Sequence, residues 1–183
     1  MRRNTFLSVS AAFVLMLLLT DTTVAEPDSQ AEADGKAEAS EMSDEDFAKS
    51  QIGKTYSGGL DIEGWNGLGG GLVSPPIYVH QFGREDGTVL ILTSKETAPA
   101  AKGSAASFKV TDALLVDKAG KGYDVSTNCM KGDDYTLRFL AEVSGKESSE
   151  WWTNVRKAWE IELETGKIST TKARSVKCTN PNW

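Results

Sequence analysis

The clearest pattern in the chain lies near its end. Over residues 157–164, Trp159, Ile161 and Leu163 alternate with Glu160, Glu162 and Glu164. That period of two marks a strand with one buried face. Upstream, residues 135–143 predict a central strand, with Leu137, Phe139 and Ala141 on one face and Arg138 and Leu140 on the other. Residues 76–82 and the β-branched, apolar run 88–94 predict two more strands. Glu85-Asp86-Gly87 between them reads as a hairpin turn, its glycine placed for positive φ. Residues 108–116 read either as a strand or, at Asp112 to Leu115, as a helical turn. Shorter extended segments are expected at 123–127, 148–154, 168–171 and 174–178. The turns between them centre on Lys118 to Gly122, Gly132-Asp133-Asp134 and Thr165-Gly166-Lys167.

Helix is a minor component. Ser43-Asp44-Glu45-Asp46 matches a capping box with acids in the first turn, where the helix dipole favours them. It predicts a short helix over about 44–51 that contacts the domain through Phe47 and Ala48 and stops at Gly53. Residues 58–71, which hold Trp65 among many glycines, read as a mobile loop. No Lys-Ser/Thr follows and no strand–helix frame surrounds them, so neither a P-loop nor a dinucleotide fingerprint is matched. The fold expected is mainly β, with α+β as the alternative: a small antiparallel sheet or sandwich, a short N-terminal helix and one disulfide.

Charge and composition add an address. Arg2 and Arg3 precede an apolar run from residue 7 to 19, and Thr23-Val24-Ala25 offers the small residues a signal peptidase reads. The run is shorter than the roughly 20 apolar residues of a membrane span. Residues 1–25 are therefore expected to be a signal peptide, leaving a periplasmic or secreted chain without a stable membrane anchor. Residues 26–50 carry nine acids against two lysines, a net −7, whereas residues 51–183 balance at 16 basic and 16 acidic. The acidic stretch, nearly free of large apolar residues, is expected to be a disordered linker with the short helix at its end. Residues 51–183 then form a single globular domain. No basic stripe is present, so nucleic acid is not an expected partner; a protein partner is.

The two cysteines, Cys129 and Cys178, lack CxxC spacing. In an oxidising compartment they favour a bridge over a reactive or metal-binding pair. Closing that loop would stabilise the fold by roughly 3–4 kcal/mol in the chain-entropy account. Residues 110–180 also resemble a group of uncharacterised small exported proteins of Gram-negative bacteria. The resemblance is carried by Val110 to Leu115, Cys129, Ala141-Glu142-Val143, Trp152, Ala158-Trp159, Thr165-Gly166-Lys167 and Val176 to Asn180. It implies secretion and a disulfide, and brings no activity.

Catalytic chemistry has little to draw on. His80 is the sole histidine, which excludes two-histidine relays and His-rich metal sites. A relay of His80 with a serine such as Ser74 and an acid such as Asp86 has no nucleophile elbow to support it. Asp133 and Asp134 read as turn residues more readily than as a calcium or glycosidase pair. Glu160, Glu162 and Glu164 read as a solvated stripe pairing with Lys157, Lys167 and Lys172 across strands. No catalytic, cofactor-binding or metal-binding residue is assigned. The candidate contact residues are Trp65, Trp151, Trp152 and His80, with one of the adjacent tryptophans expected to face out. The function expected is a non-catalytic exported domain that acts by protein contact or as a cell-envelope accessory factor. The alternatives are an inhibitor or immunity-type protein presenting the glycine stretch, and a hydrolase or ligand binder with a pocket near His80.

Overall fold

The computed structural model describes residues 42–182. The expected signal peptide and the acidic stretch up to residue 41 lie outside the described residues.

Among the described residues one α-helix, α1 (Asp44–Gln51), leads into eleven strands, with a single 3-10 turn at Ala173–Ser175 before the last. Ser43 caps it by accepting from the Asp46 N–H at 3.2 Å, as the capping pattern predicts. Strands β1 (Thr55–Ser57), β2 (Asn66–Ser74), β3 (Ile77–Gly83), β4 (Val89–Ala98) and β5 (Ser107–Val116) make one antiparallel sheet in the order β1-β5-β4-β3-β2. Strands β6 (Asp124–Lys131), β7 (Asp134–Ser144), β8 (Trp151–Trp152), β9 (Asn154–Ile161), β10 (Ile168–Thr170) and β11 (Val176–Thr179) make a second, in the order β10-β9-β7-β6-β11-β8. The expected mainly-β fold is observed, and residues 108–116 are strand throughout.

The two sheets pack face to face. Val73, Ile77, Val79, Val89, Ile91 and Val116 of the first meet Leu140, Trp159 and Ile161 of the second. Strand β4 is the centre of the first sheet and is apolar on both sides. Val89 and Ile91 face the second sheet, while Leu90 and Leu92 face a layer formed by Ala48, Ile62 and Trp65. A strand covered on both faces reads as a continuous apolar run rather than an alternating one, which is why residues 89–92 lack polar interruptions. Helix α1 thus belongs to the fold, and the folded unit begins before residue 51.

The outer face of the second sheet buries Phe139, Ala141, Val143 and Ala158 around Trp152 and the cysteines. Cys129 and Cys178 are direct cross-strand neighbours on β6 and β11 and form the expected disulfide. Among the described residues no helix is long and apolar enough to cross a membrane.

Two expectations fail for local reasons. The glycine stretch is a loop only in its first half: residues 58–65 form no strand, but residues 66–74 are β2, paired with β3 from Asn66↔Gly83 to Ser74↔Ile77. Gly70 has a φ of 152°, and a Cβ there would run into the Val79 carbonyl, so the glycine lets the two backbones approach. The acidic stripe is cut short because β9 ends at Ile161. Glu162 enters a turn in which Gly166 N donates to the Glu162 carbonyl at 2.8 Å. Glu160 alone stays on the strand, paired with Lys131 at 3.4 Å and Arg138 at 3.6 Å.

Candidate functional site

The sandwich is open at the end where β3 turns into β4 and β5 crosses to β6. A cavity of about 640 Å³ lies there, within the roughly 300–1,000 Å³ of small-molecule sites. Its walls are the 84–88 hairpin, the 117–123 loop and the first residues of β2 and β6. A second cavity of about 270 Å³ shares Leu68, Gln81, Asp124 and Val125 with it and runs on towards Trp152 and Thr179.

The hairpin wall is built as the sequence predicts. Gly87 has a φ of 87°, and Gly87 N donates to the Arg84 carbonyl at 3.1 Å. Asp86 accepts from Thr88 N at 2.9 Å. That backbone N–H and the Thr88 side chain, with lesser help from Lys118 and Arg84, hold the Asp86 carboxyl below its ordinary range against the opposing effect of burial. Arg84 ties the hairpin to the helix layer, bonding Asp44 at 2.5 Å and lying 4.0 Å from the centre of the Trp65 ring.

The opposite wall is anchored from inside the second sheet. Glu142 on β7 is fully buried. It accepts from Gly120 N at 2.6 Å and pairs with Arg156 at 2.7 Å. Arg156 also lies 5.6 Å from the centre of the Tyr123 ring, and Asn154 donates to the Tyr123 hydroxyl at 3.0 Å. The ring is thereby held over one face and at its hydroxyl. In the same loop Lys118 adopts a φ of 50°, a left-handed conformation uncommon outside glycine. Gln81 on β3 donates to the Val125 carbonyl at 2.9 Å and joins the two sheets at the cavity floor.

His80 sits elsewhere, on the face of the first sheet turned away from the second. Its Nε2 is 2.6 Å from the Tyr56 hydroxyl and 3.1 Å from Ser94 Oγ, and the two hydroxyls are 2.7 Å apart. Tyr56 stacks on Phe108, whose ring meets Tyr78 edge-on. Burial lowers the His80 pKa and, as the leading cause, raises that of Tyr56. The serine beside His80 is therefore Ser94 rather than Ser74, and its exposure is 0%. A hydroxyl sealed from solvent has no route to a substrate, so the arrangement pins β1 to the sheet rather than forming a nucleophilic dyad.

The remaining sequence candidates are distributed through the fold. Trp65, on the loop just ahead of β2, is 6% exposed, stacked on Phe47 beneath Arg84, and so is not presented to solvent. Trp152 is buried and donates to the Lys146 carbonyl at 3.1 Å. Trp151 is half-buried, with the Lys177 ammonium 4.2 Å from its ring centre. Asp134 is committed to Thr136 and to Arg138 at 2.7 Å, and the Thr136 hydroxyl is the main influence lowering its pKa. Among the described residues no three His, Cys, Asp or Glu side chains are placed to hold a metal ion.

Sequence reading missed the cavity and its supports, Glu142, Arg156 and Tyr123. One signal was available: Glu142 is a lone acid in the apolar run Phe139 to Val143, and a buried carboxylate needs a partner. Comparison of the chain with family models, curated proteins and solved structures gives no match.

Proposed function

We propose that this chain is exported to the periplasm or the cell exterior and works there as a non-catalytic contact domain in the cell envelope, engaging its partner at the open end of the sandwich. The observation that carries the reading is the anchoring of the 117–123 loop. A buried carboxylate on a central strand is used to fix a solvent-exposed loop around a cavity. Rigid elements that hold exposed polar groups in place are what a binding site requires. The buried disulfide suits an oxidising compartment, and the leader-like residues 1–25 supply the route. The sealed Ser94 weighs against a hydrolase near His80, and the pairing of β2 with β3 weighs against an inhibitor that presents a glycine loop.

The test has two parts. In a Gram-negative host the chain should appear in the periplasmic or medium fraction with Glu26 as its first residue; retention in the cytoplasm at full length overturns the address. A photo-crosslinking residue at Lys121, on the rim, should capture an envelope component that the same probe at Lys172 does not. Equal capture at the two positions overturns the placement of the contact surface.

A further inference from the structure

The chemistry of the cavity wall narrows what can occupy it, granted that the open end is the contact surface. Three cations (Arg84, Lys118, Lys121) and three anions (Glu85, Asp86, Asp124) line it. The charges cancel, so the cavity offers little net attraction to an anion or a cation. Five of the six, Glu85, Asp86, Lys118, Lys121 and Asp124, form no ion pair among the described residues. They are exposed, with donors and acceptors side by side. Asn66 adds an amide at the rim, which supplies both.

The floor is different in kind. Val89 and Val125 are apolar, the exposed Leu68 adds an apolar edge beside them, and Tyr123 brings an aromatic ring backed by Arg156, which itself does not line the cavity. A ligand that satisfies all of this has no net charge. It carries many hydroxyls that both donate and accept, and it has an apolar face to lay on an aromatic ring. We infer that the cavity is a binding site for a neutral saccharide, held by its hydroxyls at Lys118, Lys121, Asp124 and Asn66 and by one ring face on Tyr123. The adjoining cavity continues along Asp124 to Asn128, which makes room for a further sugar unit and favours a chain over a monosaccharide. The fixed loop is part of the site. Ordering side chains on binding costs about 0.5–1.5 kcal/mol for each one immobilised, and the clamped Tyr123 avoids that cost.

The experiment uses the disulfide-bonded chain purified from the periplasm and titrated calorimetrically with chitotetraose, cellotetraose and maltotetraose. Tetragalacturonate serves as the anionic counterpart. At least one neutral tetrasaccharide should bind saturably, with an affinity unchanged by added salt. Tyr123→Ala and Asp124→Ala should each weaken it by at least about tenfold, a change of about 1.4 kcal/mol. Lys172→Ala, at a distance from the cavity wall, should leave it unchanged. Asp124 is exposed, so its variant reports on the site even where Tyr123→Ala compromises folding. Failure of every neutral sugar to bind, tighter binding of tetragalacturonate, or binding indifferent to both Tyr123→Ala and Asp124→Ala overturns the assignment. If no sugar binds while the Lys121 crosslinker still captures a component that Lys172 does not, the ligand class falls and the contact surface stands. If the rim is silent in both assays, both readings fall.

Discussion

The loop anchor can be tested at Glu142. Its carboxylate is fully buried, accepts from Gly120 N at 2.6 Å and meets Arg156 at 2.7 Å. Glu142→Ala strands the partly buried Gly120 N–H, and an unsatisfied donor costs up to about 1–3 kcal/mol when cut off from water. The 3–5 kcal/mol typical of breaking a buried pair does not apply in full. The Arg156 side chain is 43% exposed and recovers water once released. With a modest void added, the alanine variant should lose about 2–3 kcal/mol. Glu142→Gln keeps an acceptor for Gly120 and loses only the charge, so it should cost about 1 kcal/mol. Urea unfolding followed by tryptophan fluorescence reads both values, provided the slope stays constant so that a shifted midpoint means changed stability. Hydrogen exchange supplies the local reading, because the Gly120 amide should lose protection in the alanine variant and keep most of it in the glutamine variant. If glutamine proves as costly as alanine, charge rather than the Gly120 bond holds the loop. If both variants fall within about 0.5 kcal/mol of the parent, Glu142 anchors nothing.

Two further outcomes follow from the fold. Replacing both Cys129 and Cys178 by serine opens a cross-link with a sequence separation of 49. By chain entropy this should cost about 4 kcal/mol, lowering the urea midpoint by about 2 M for a slope of about 2 kcal/mol/M; an unchanged midpoint would show that the bridge does not constrain the unfolded chain. At His80 burial lowers the folded pKa from 6.5, so below that pH the unfolded chain takes up a proton that the folded chain refuses. Stability should fall as pH drops below 6.5 and level off beneath the folded value, whereas His80→Gln should lack this slope. Unfolding midpoints between about pH 5 and 8 decide it, and parallel curves for parent and variant would rule out the buried neutral imidazole.

What could be read from the sequence was what is decided locally. The Ser43 cap, the Gly87 turn and the alternation that buries Trp159 and Ile161 all depend on near neighbours, and each appears where expected. Strand β2 escaped notice because glycines carry no side-chain pattern, and its pairing rests on the backbone of β3. The tail of the acidic stripe was misjudged because Gly166 ends the strand register from the far side of the turn. The partners of His80 lie 24 and 14 residues away in the chain, and Gly120 lies 22 from Glu142. Periodicity cannot register such meetings. The cavity is farther still from local signals, since its walls are brought together only when the sheets close.

The position of β11 also sets an order of assembly. The first sheet is made of segments that end by Val116, and three of its four pairings join strands adjacent in sequence. The second sheet cannot finish that way. The last strand, Val176–Thr179, inserts between β6 and β8, and β8 has β11 as its strand partner. A chain that emerges from its N-terminus can complete the first sheet early and pair β6 with β7, but must hold the other edge of β6 and the short Trp151–Trp152 strand unpaired until β11 arrives. Strand β11 is therefore the element that completes the second sheet. A chain truncated ahead of β11 would lack Cys178, leave Cys129 as a free thiol and expose the edge of β6 to pairing with other chains.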